Sequence, residues 1–298
     1  MKASGPAAGE SRQLTVFLCG DVMTGRGIGQ VLPHPSDPRI HEPSVDDARE
    51  YVRPAEATNG PVPRPVEFPY IWGDALRELA LIAPVARIVN LETSITRSDD
   101  YWRGKGINYR MHPHSVQCLT AARIDVCTLA NNHVLDFGYA GPRETLDTLA
   151  RAGLKTAGVG RNLAEAREPA VVDLAEKGRL VVFGFGDETS GVPPSWAATG
   201  ERLGIDFLSD LSEATARGVV ERVQLAKRPG DVVVASIHWG SKWGYHVPPE
   251  RQRFARRLIV RQDHHGGAVL GALGIIGATS VASTSDSIER CSEIRRWL

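Results

Sequence analysis

The sequence has no net charge, because 35 lysine and arginine residues balance 35 aspartate and glutamate residues. Proteins that bind nucleic acid or an anionic membrane surface usually carry an excess of basic residues, on which the attraction depends. The composition therefore predicts no nucleic-acid partner and a peripheral membrane association at most. The sequence also has no internal repeat at a fixed period, which argues against solenoid and propeller architectures.

Cysteine is scarce as well. The sequence contains four cysteines, no two of which form a CxxC pair, and two of them lie in apolar runs. This pattern favours reduced, buried thiols over a disulfide framework. Residues 1–13 lack the apolar run that a secretory signal requires. We therefore expect a disordered segment over residues 1–13 and a cytoplasmic protein.

Short apolar runs alternate with helical patterns along the chain. Runs typical of strands that are covered on both faces lie at residues 14–22, 86–92, 124–131, 179–187 and 231–240. Apolar residues at three- and four-residue spacing predict helices over residues 74–86, 115–123, 141–153 and 212–227. This alternation predicts an α/β fold with a largely parallel core sheet. Residues 170–185 predict a hairpin, because Glu-Lys-Gly separates two strand-like runs.

Two regions lack a sustained pattern. Residues 33–69 contain many prolines and charges, which predicts a long functional or mobile loop, for example a lid. Residues 266–285 are uncharged and contain five glycines, which weaken a helix or a strand. A membrane span is an alternative there, since Gly267 and Gly271 form a GxxxG pair, but the run is only marginally apolar. We therefore predict a domain over residues 14–260 and an atypical tail over residues 261–298.

Polar side chains stand at the carboxyl ends of four predicted strands. These ends are Gly20-Asp21, Asn90-Leu91-Glu92, Asn131-Asn132-His133 and His238-Trp239-Gly240. Ligands of α/β proteins gather at this edge of the sheet. Carboxylates, an amide oxygen and imidazoles together form the ligand set of a divalent metal such as Mn, Zn or Fe. The sequence therefore predicts a metal site at these strand ends.

Each of these residues has a simpler explanation when it is taken alone. Asp21 fits a turn or a helix N-cap, and Asn131 fits a residue that satisfies backbone groups in a turn. A single histidine such as His133 or His238 is more often structural than a ligand. The recurrence at four strand ends is what favours a functional site.

Four stretches of the sequence match a known family. They are CGDVMTGRGIG (residues 19–29), NLETSIT (90–96), LANNHVLDFGYAG (129–141) and SIHWGSKWGYHVPPERQRFARRLI (236–259). Together they resemble the CapA family of poly-γ-glutamate biosynthesis proteins, whose fold is similar to that of calcineurin-like metallophosphoesterases. The resemblance implies a four-layer α/β/β/α metallophosphatase-like sandwich.

The resemblance also implies roles for individual residues. By analogy with metallophosphoesterases, Asp21, Glu92, Asn132 and His238 are the predicted metal ligands. His133 is the predicted catalytic residue, which contacts the substrate oxygen or protonates the leaving group. The predicted substrate-binding residues are Asn131, Arg26 and Tyr245.

The chain departs from the metallophosphoesterase pattern at two places. Met23 stands where those enzymes have the histidine of an Asp-x-His pair, which removes a ligand from one of two metals. A late Gly-His-x-His cluster is missing from residues 260–298, so that we expect an incomplete C-terminal part. A shift of reading frame near residue 261 is our hypothesis for this tail.

Two functions remain open at this point. The first is a metal-dependent hydrolase or transferase that acts on a phosphoester or a γ-glutamyl bond in capsule synthesis. The alternative is a non-catalytic subunit that binds polyglutamate or assembles with other capsule-synthesis subunits. In that alternative, the carboxylates of the polymer are bound by Arg26, Arg97, Arg103, Lys105 and Arg110. The simpler explanation is that these five residues are solvated charges in loops.

Overall fold

The structure, a computed structural model, describes residues 14–240 and 247–260. Within these residues, the strands are β1 (Val16–Val22), β2 (Ala86–Leu91), β3 (Ser94–Ile95), β4 (Arg110–Met111), β5 (Val126–Thr128), β6 (Lys155–Ala157), β7 (Val159–Gly160), β8 (Ala170–Asp173), β9 (Arg179–Asp187), β10 (Gly204–Ile205), β11 (Phe207–Leu208) and β12 (Val232–His238). The α-helices are α1 (Arg26–Val31), α2 (Val52–Asn59), α3 (Ala75–Ile82), α4 (Gln117–Ala121), α5 (Ala140–Arg151), α6 (Leu163–Arg167), α7 (Glu213–Ala226) and α8 (Pro249–Val260).

Two four-stranded sheets form the centre of the fold. In the first sheet the order is β1-β2-β5-β6, and all neighbours are parallel. In the second sheet β9 pairs in parallel with β12 and β11, and antiparallel with β8. The predicted α/β fold with a largely parallel core is therefore confirmed. The predicted hairpin is also present, as the β8–β9 pair.

The alternation of side chains places the two sheets face to face. Ala86 and Ile88 of β2 share an apolar cluster with Val182 of β9, so this cluster lies between the sheets. Val89 of β2 points to the opposite face, where it packs with residues of α4 and α5. Val181 of β9 likewise points away from the first sheet and packs with α7 and α8. The order helix, sheet, sheet, helix is the predicted four-layer sandwich.

The prediction of one long loop over residues 33–69 is wrong in part. This segment contains a 3-10 turn at Ala48–Tyr51 and the helix α2. Val52 and Val66 pack against Val31 in a small buried cluster, so the segment is fixed to the body of the protein. Pro54 lies in the first turn of α2, where the backbone N–H groups have no partner within a helix. The prolines therefore did not exclude a helix here.

A bulge in β1 turns Asp21 toward the space between the sheets. Cys19 pairs with Val89 and Asp21 pairs with Asn90, so Gly20 is an extra residue in the strand. If Gly20 were a regular strand residue, the alternation of side chains would place Asp21 on the same face as Cys19, which packs against the helices. The bulge thus directs this carboxylate to the edge where the two sheets meet.

Three of the four cysteines lie in the part of the chain that the structure describes. Cys19, Cys118 and Cys127 form no disulfide within the described residues, and the last two are buried. Burial raises the pKa of the Cys118 thiol to about 12 and raises the pKa of the Cys127 thiol as well. The prediction of reduced, buried thiols is therefore confirmed for Cys118 and Cys127.

None of the helices within residues 14–240 and 247–260 has the length and apolarity that crossing a bilayer requires. The predictions on Tyr245, on residues 1–13, on the tail over residues 261–298 and on an incomplete C-terminal part lie outside the described residues.

Candidate functional site

The carboxyl ends of both sheets meet at one buried, polar site. Asp21 at the end of β1 and Glu92 after β2 come from the first sheet, and His238 at the end of β12 comes from the second. His238 Nδ1 lies 3.6 Å from Asp21 Oδ1, and His238 Nε2 lies 3.8 Å from Glu92 Oε1. Asn132 and His133, in the turn after β5, complete the group. The structure thus brings together the four predicted metal ligands and the predicted catalytic histidine.

Three asparagines fix the orientation of His238. The backbone N–H of His133 donates to Asn131 Oδ1 (3.0 Å), so Asn131 Nδ2 is the group that donates to Asn90 Oδ1 (3.1 Å). Asn90 Nδ2 then donates to Asp21 Oδ1 (2.7 Å) and faces His238 Nδ1 (3.2 Å). Because an amide N–H₂ group only donates, His238 Nδ1 accepts. The ring proton therefore lies on Nε2 and is donated to Asn132 Oδ1, 2.8 Å away.

A buried carboxylate holds His133. Its Nδ1 lies 2.6 Å from Asp136 Oδ2, and Asp136 is fully buried. Asp136 also accepts hydrogen bonds from the Tyr109 backbone N–H (2.6 Å) and from Lys105 Nζ. Lys105 Nζ, which only donates, also lies 2.9 Å from His133 Nδ1, and we assign the Nδ1 proton to the shorter contact with the carboxylate, an arrangement common at functional histidines. His133 Nε2 is left directed toward Glu92 Oε1, 3.6 Å away.

An aromatic and cationic stack covers His133. The ring of Tyr109 lies on the imidazole, with ring centroids 3.9 Å apart and planes 21° apart. Burial raises the pKa of the Tyr109 phenol to about 12, so it is neutral near pH 7. The guanidinium of Arg26 also lies over Tyr109, 4.8 Å from the ring centroid. Arg26 is also paired with Glu42, with Nε 2.6 Å and Nη2 2.8 Å from the two carboxylate oxygens.

Burial dominates the electrostatics of Asp21. It raises the pKa of Asp21 to about 7, against the opposing effect of the hydrogen bond from Asn90. This carboxyl group therefore exchanges a proton near neutral pH, unlike an exposed aspartate.

The predicted metal ligands are in contact with one another. Their donor types suit Mn, Zn or Fe, but the donor atoms are bonded to one another, as in the pair His238 Nε2 and Asn132 Oδ1. No group of three or more His, Cys, Asp or Glu side chains within the described residues is arranged to hold a metal. Met23, in place of a ligand histidine, accepts a hydrogen bond from the Gly25 N–H through its sulfur. The metal-ligand roles of Asp21, Glu92, Asn132 and His238 stay a prediction, and no step proposed below passes through a metal.

The three predicted substrate-binding residues have different positions. Arg26 lies beside the site, whereas Tyr245 lies outside the described residues. Asn131 is fully buried and donates to Asn90 and to the Leu91 carbonyl, so it ties two strand ends together. Its contact with a substrate stays a prediction.

The residues predicted to bind carboxylates also lie in different places. Lys105 belongs to the site, because it contacts Asp136 and lies 2.9 Å from His133 Nδ1. Arg110 pairs with Asp99 and lies over Phe137, and Arg97 lies 3.9 Å from Glu144.

Sequence reasoning missed the roles of several residues. Asp136 was not among the predicted site residues, although its spacing of three residues from His133 in a turn was a usable signal. Asn90 stood at a predicted strand end, but its role as a hydrogen-bond donor to two site residues depends on the second sheet. Glu42 gave no signal at all, because it lies in the proline-rich segment over residues 33–69.

Comparisons with known proteins agree on one family. A family model described as "Bacterial capsule synthesis protein PGA_cap" matches residues 15–274. A probable polyglutamine synthesis accessory protein of Mycobacterium tuberculosis (strain ATCC 25618 / H37Rv) is 46% identical over 253 residues, which are 85% of this chain and 67% of that protein. The PGA biosynthesis protein CapA of Bacillus subtilis (strain 168) is 28% identical over 247 residues, which are 83% of this chain and 54% of that protein. The chain thus spans about half the length of the Bacillus protein.

Proposed function

We propose a function from the premise that the chain belongs to the bacterial capsule synthesis protein family PGA_cap. The proposed function is that of an accessory protein of γ-linked polyglutamate synthesis, which acts as a hydrolase or transferase on an anionic substrate. The names of the relatives, a polyglutamine synthesis accessory protein and a PGA biosynthesis protein, support this choice of pathway. Other subunits of the same synthesis are the proposed partners.

The pair of His133 and Asp136 carries the proposal. A histidine whose Nδ1 faces a buried carboxylate can accept a proton at Nε2 and, once protonated, donate one. Glu92 Oε1 lies 3.6 Å from Nε2 and marks the side from which a substrate oxygen or nitrogen approaches. Protonation of the leaving group is the step that cleavage of either a phosphoester or a γ-glutamyl amide requires. His133 is the proposed general acid and base.

Hydrolysis assays on the full 298-residue chain test the proposal. Two substrates are needed, a γ-linked glutamate polymer and an aryl phosphate, because the pair of His133 and Asp136 serves either bond. We expect His133→Ala to lower the rate on the true substrate by about 100-fold or more. His112→Ala is the matched control, because His112 is partly buried and lies in a separate group with His34 and His114.

The outcomes separate the two functions that the sequence left open. Equal rates for the His133→Ala protein and the wild type would contradict the catalytic role. Binding of the polymer without cleavage of either substrate would instead favour a non-catalytic binding subunit. Metal analysis of the same samples tests the predicted ligands, with Asp21→Ala and His238→Ala as the variants.

A further inference from the structure

A built carboxylate site lies next to His133, and the protein fills it with its own Glu42. Arg26 holds Glu42 in a two-pronged contact, since Nε and Nη2 meet different oxygens at 2.6 and 2.8 Å. The hydroxyl of Tyr51 donates to Glu42 Oε2 at 2.5 Å. The side chains of Arg26 and Glu42 are only 17% and 6% exposed. The donors therefore surround both oxygens of one carboxylate, which is the geometry that arginine provides best.

The site is continuous with the proposed catalytic centre. The guanidinium of Arg26 lies between two rings, 4.6 Å from the centroid of Tyr51 and 4.8 Å from that of Tyr109. Tyr109 in turn stacks on His133. The imidazole of His133 and the guanidinium of Arg26 thus both lie against the ring of Tyr109, which connects the carboxylate site to the proposed catalytic centre.

The backbone of Arg26 is strained. Its φ angle is 46°, in the left-handed region that residues other than glycine rarely adopt. Such strain is typical of positions that hold a ligand contact. The strain places the guanidinium between the two rings at the start of α1.

A cavity opens beside the Arg26 pair and has a positive lining. Its lining includes three arginines, Arg26, Arg39 and Arg110, together with His41 and one acidic residue, Asp37. Burial lowers the pKa of His41, and the nearby Arg110, Arg39 and Arg103 lower it further, as a positive local potential does. The lining also includes Gln30 and Asn108, which are neutral hydrogen-bonding groups. Basic side chains outnumber acidic ones in this lining, which favours an anionic group beside the Arg26 site.

We propose that Arg26 and Tyr51 bind an α-carboxylate of a γ-linked glutamate chain, and that Glu42 occupies this site in place of the ligand until the chain displaces it. This inference rests on the proposed function for the identity of the chain. It adds a binding site and an internal competitor. The side chain of Glu42 is the group that yields to the ligand, while the segment over residues 33–69 that carries it stays fixed.

Two substitutions that break the same ion pair test this inference. If the pair were only structural, Arg26→Gln and Glu42→Gln would affect ligand binding alike. If Glu42 competes with the ligand, Glu42→Gln tightens binding, because the occupied site no longer reduces the apparent affinity, by roughly 3- to 10-fold. Arg26→Gln weakens binding by about 10-fold or more, because the two-pronged contact is lost.

The measurement is equilibrium binding of a short γ-linked glutamate oligomer to the full-length chain. The same oligomer with amidated α-carboxylates is the control ligand, and inorganic phosphate is the competing anion. Arg64→Gln is the control variant, because it breaks an ion pair with Glu56 in the same segment of the chain, and it should bind as the wild type does. Arg26→Lys, which keeps the charge and loses the planar fork, guards against a folding defect in Arg26→Gln and should give an intermediate affinity.

Each result decides the inference independently of the proposed catalysis. Opposite shifts for Glu42→Gln and Arg26→Gln, absent with the amidated oligomer, support the inference even where His133→Ala and wild type fail to cleave the oligomer. Equal affinities for all variants, or no binding by any of them, overturn it and leave the acid–base role of His133 to its own assay. A dependence on Arg26 for phosphate alone also overturns it, since the site would then recognise a phosphate group.

Discussion

The two histidines of the site are fixed by partners of different chemistry, and this difference separates their roles. Asp136, a carboxylate, holds His133, whereas the amides of Asn90 and Asn132 hold His238. A carboxylate beside Nδ1 stabilises an imidazole that takes up a proton at Nε2, which is what an acid–base catalyst must do. Amides fix one neutral tautomer of His238 instead, so His238 is placed to orient and bind.

Asp136→Asn tests the role of the carboxylate beside His133. The asparagine has nearly the same volume but carries no charge, so it no longer stabilises a proton on the imidazole. We expect kcat to fall by about 100-fold, with the acidic limb of the pH–rate profile displaced to lower pH. Asp147→Asn is the control, because Asp147 is an exposed acid paired with Arg161. A profile that keeps its shape and position would contradict an electrostatic role for Asp136.

For single residues, the sequence predicts which side chains lie close together but not which hydrogen bonds they form. Asp21, Glu92, Asn132, His133 and His238 are recognisable because each follows an apolar strand. Lys105 and Asp136 are 31 positions apart in the chain, and their contact depends on the path of an irregular loop. No periodic pattern encodes such a path, so the environment of His133 emerges only from the structure.

Among the helices and strands, predicted boundaries fail where local backbone geometry changes. The predicted helix over residues 74–86 ends at Ile82, because Ala83 adopts a left-handed conformation with φ 47° just before Pro84. The predicted strand over residues 124–131 is in fact β5, Val126–Thr128. Residues 129–131 leave the sheet, and this early departure places Asn131 and Asn132 in the site. The apolar pattern continues past the point where the strand ends, so the pattern alone cannot find that point.

Gly184 in β9 faces the end of β6 at backbone contact distance. A Cβ atom there would lie 2.8 Å from the Ala157 carbonyl oxygen and 3.0 Å from Gly158 Cα. We expect Gly184→Ala to lower the free energy of unfolding by about 3 kcal/mol, because backbone atoms cannot make room. Gly218→Ala in α7 is the matched substitution, since nothing lies within 4 Å of its Cβ position.

Denaturant unfolding of the two glycine variants gives opposite signs if this interpretation is correct. Gly218→Ala should raise the free energy of unfolding by about 0.5–1 kcal/mol, because alanine is the better helix former. A Gly184→Ala protein as stable as the wild type would mean that the two sheets separate there at little cost.

In the whole molecule, the candidate site lies where the two sheets meet, and neither sheet forms it alone. Three of the predicted ligands belong to the first sheet and its loops, and His238 belongs to the second. The family resemblance predicts this four-layer arrangement from motifs at strand ends. The spacing of the sheets depends on the apolar cluster between them. No sequence motif predicts this spacing. The relative position of His238 and Asn132 therefore depends on packing far from the site.

Two neighbouring valines in β9 allow this dependence to be measured. Val182 lies in the cluster between the sheets, whereas Val181 packs on the helix side, and both are at most 1% exposed. Each change to alanine should lower the free energy of unfolding by about 2 kcal/mol, because the same two methyl groups are lost. Only Val182→Ala should alter the ring signals of His238 in NMR spectra, since only that cavity lets the sheets shift against each other. Equal spectral changes in both variants would show that the site does not depend on the packing between the sheets.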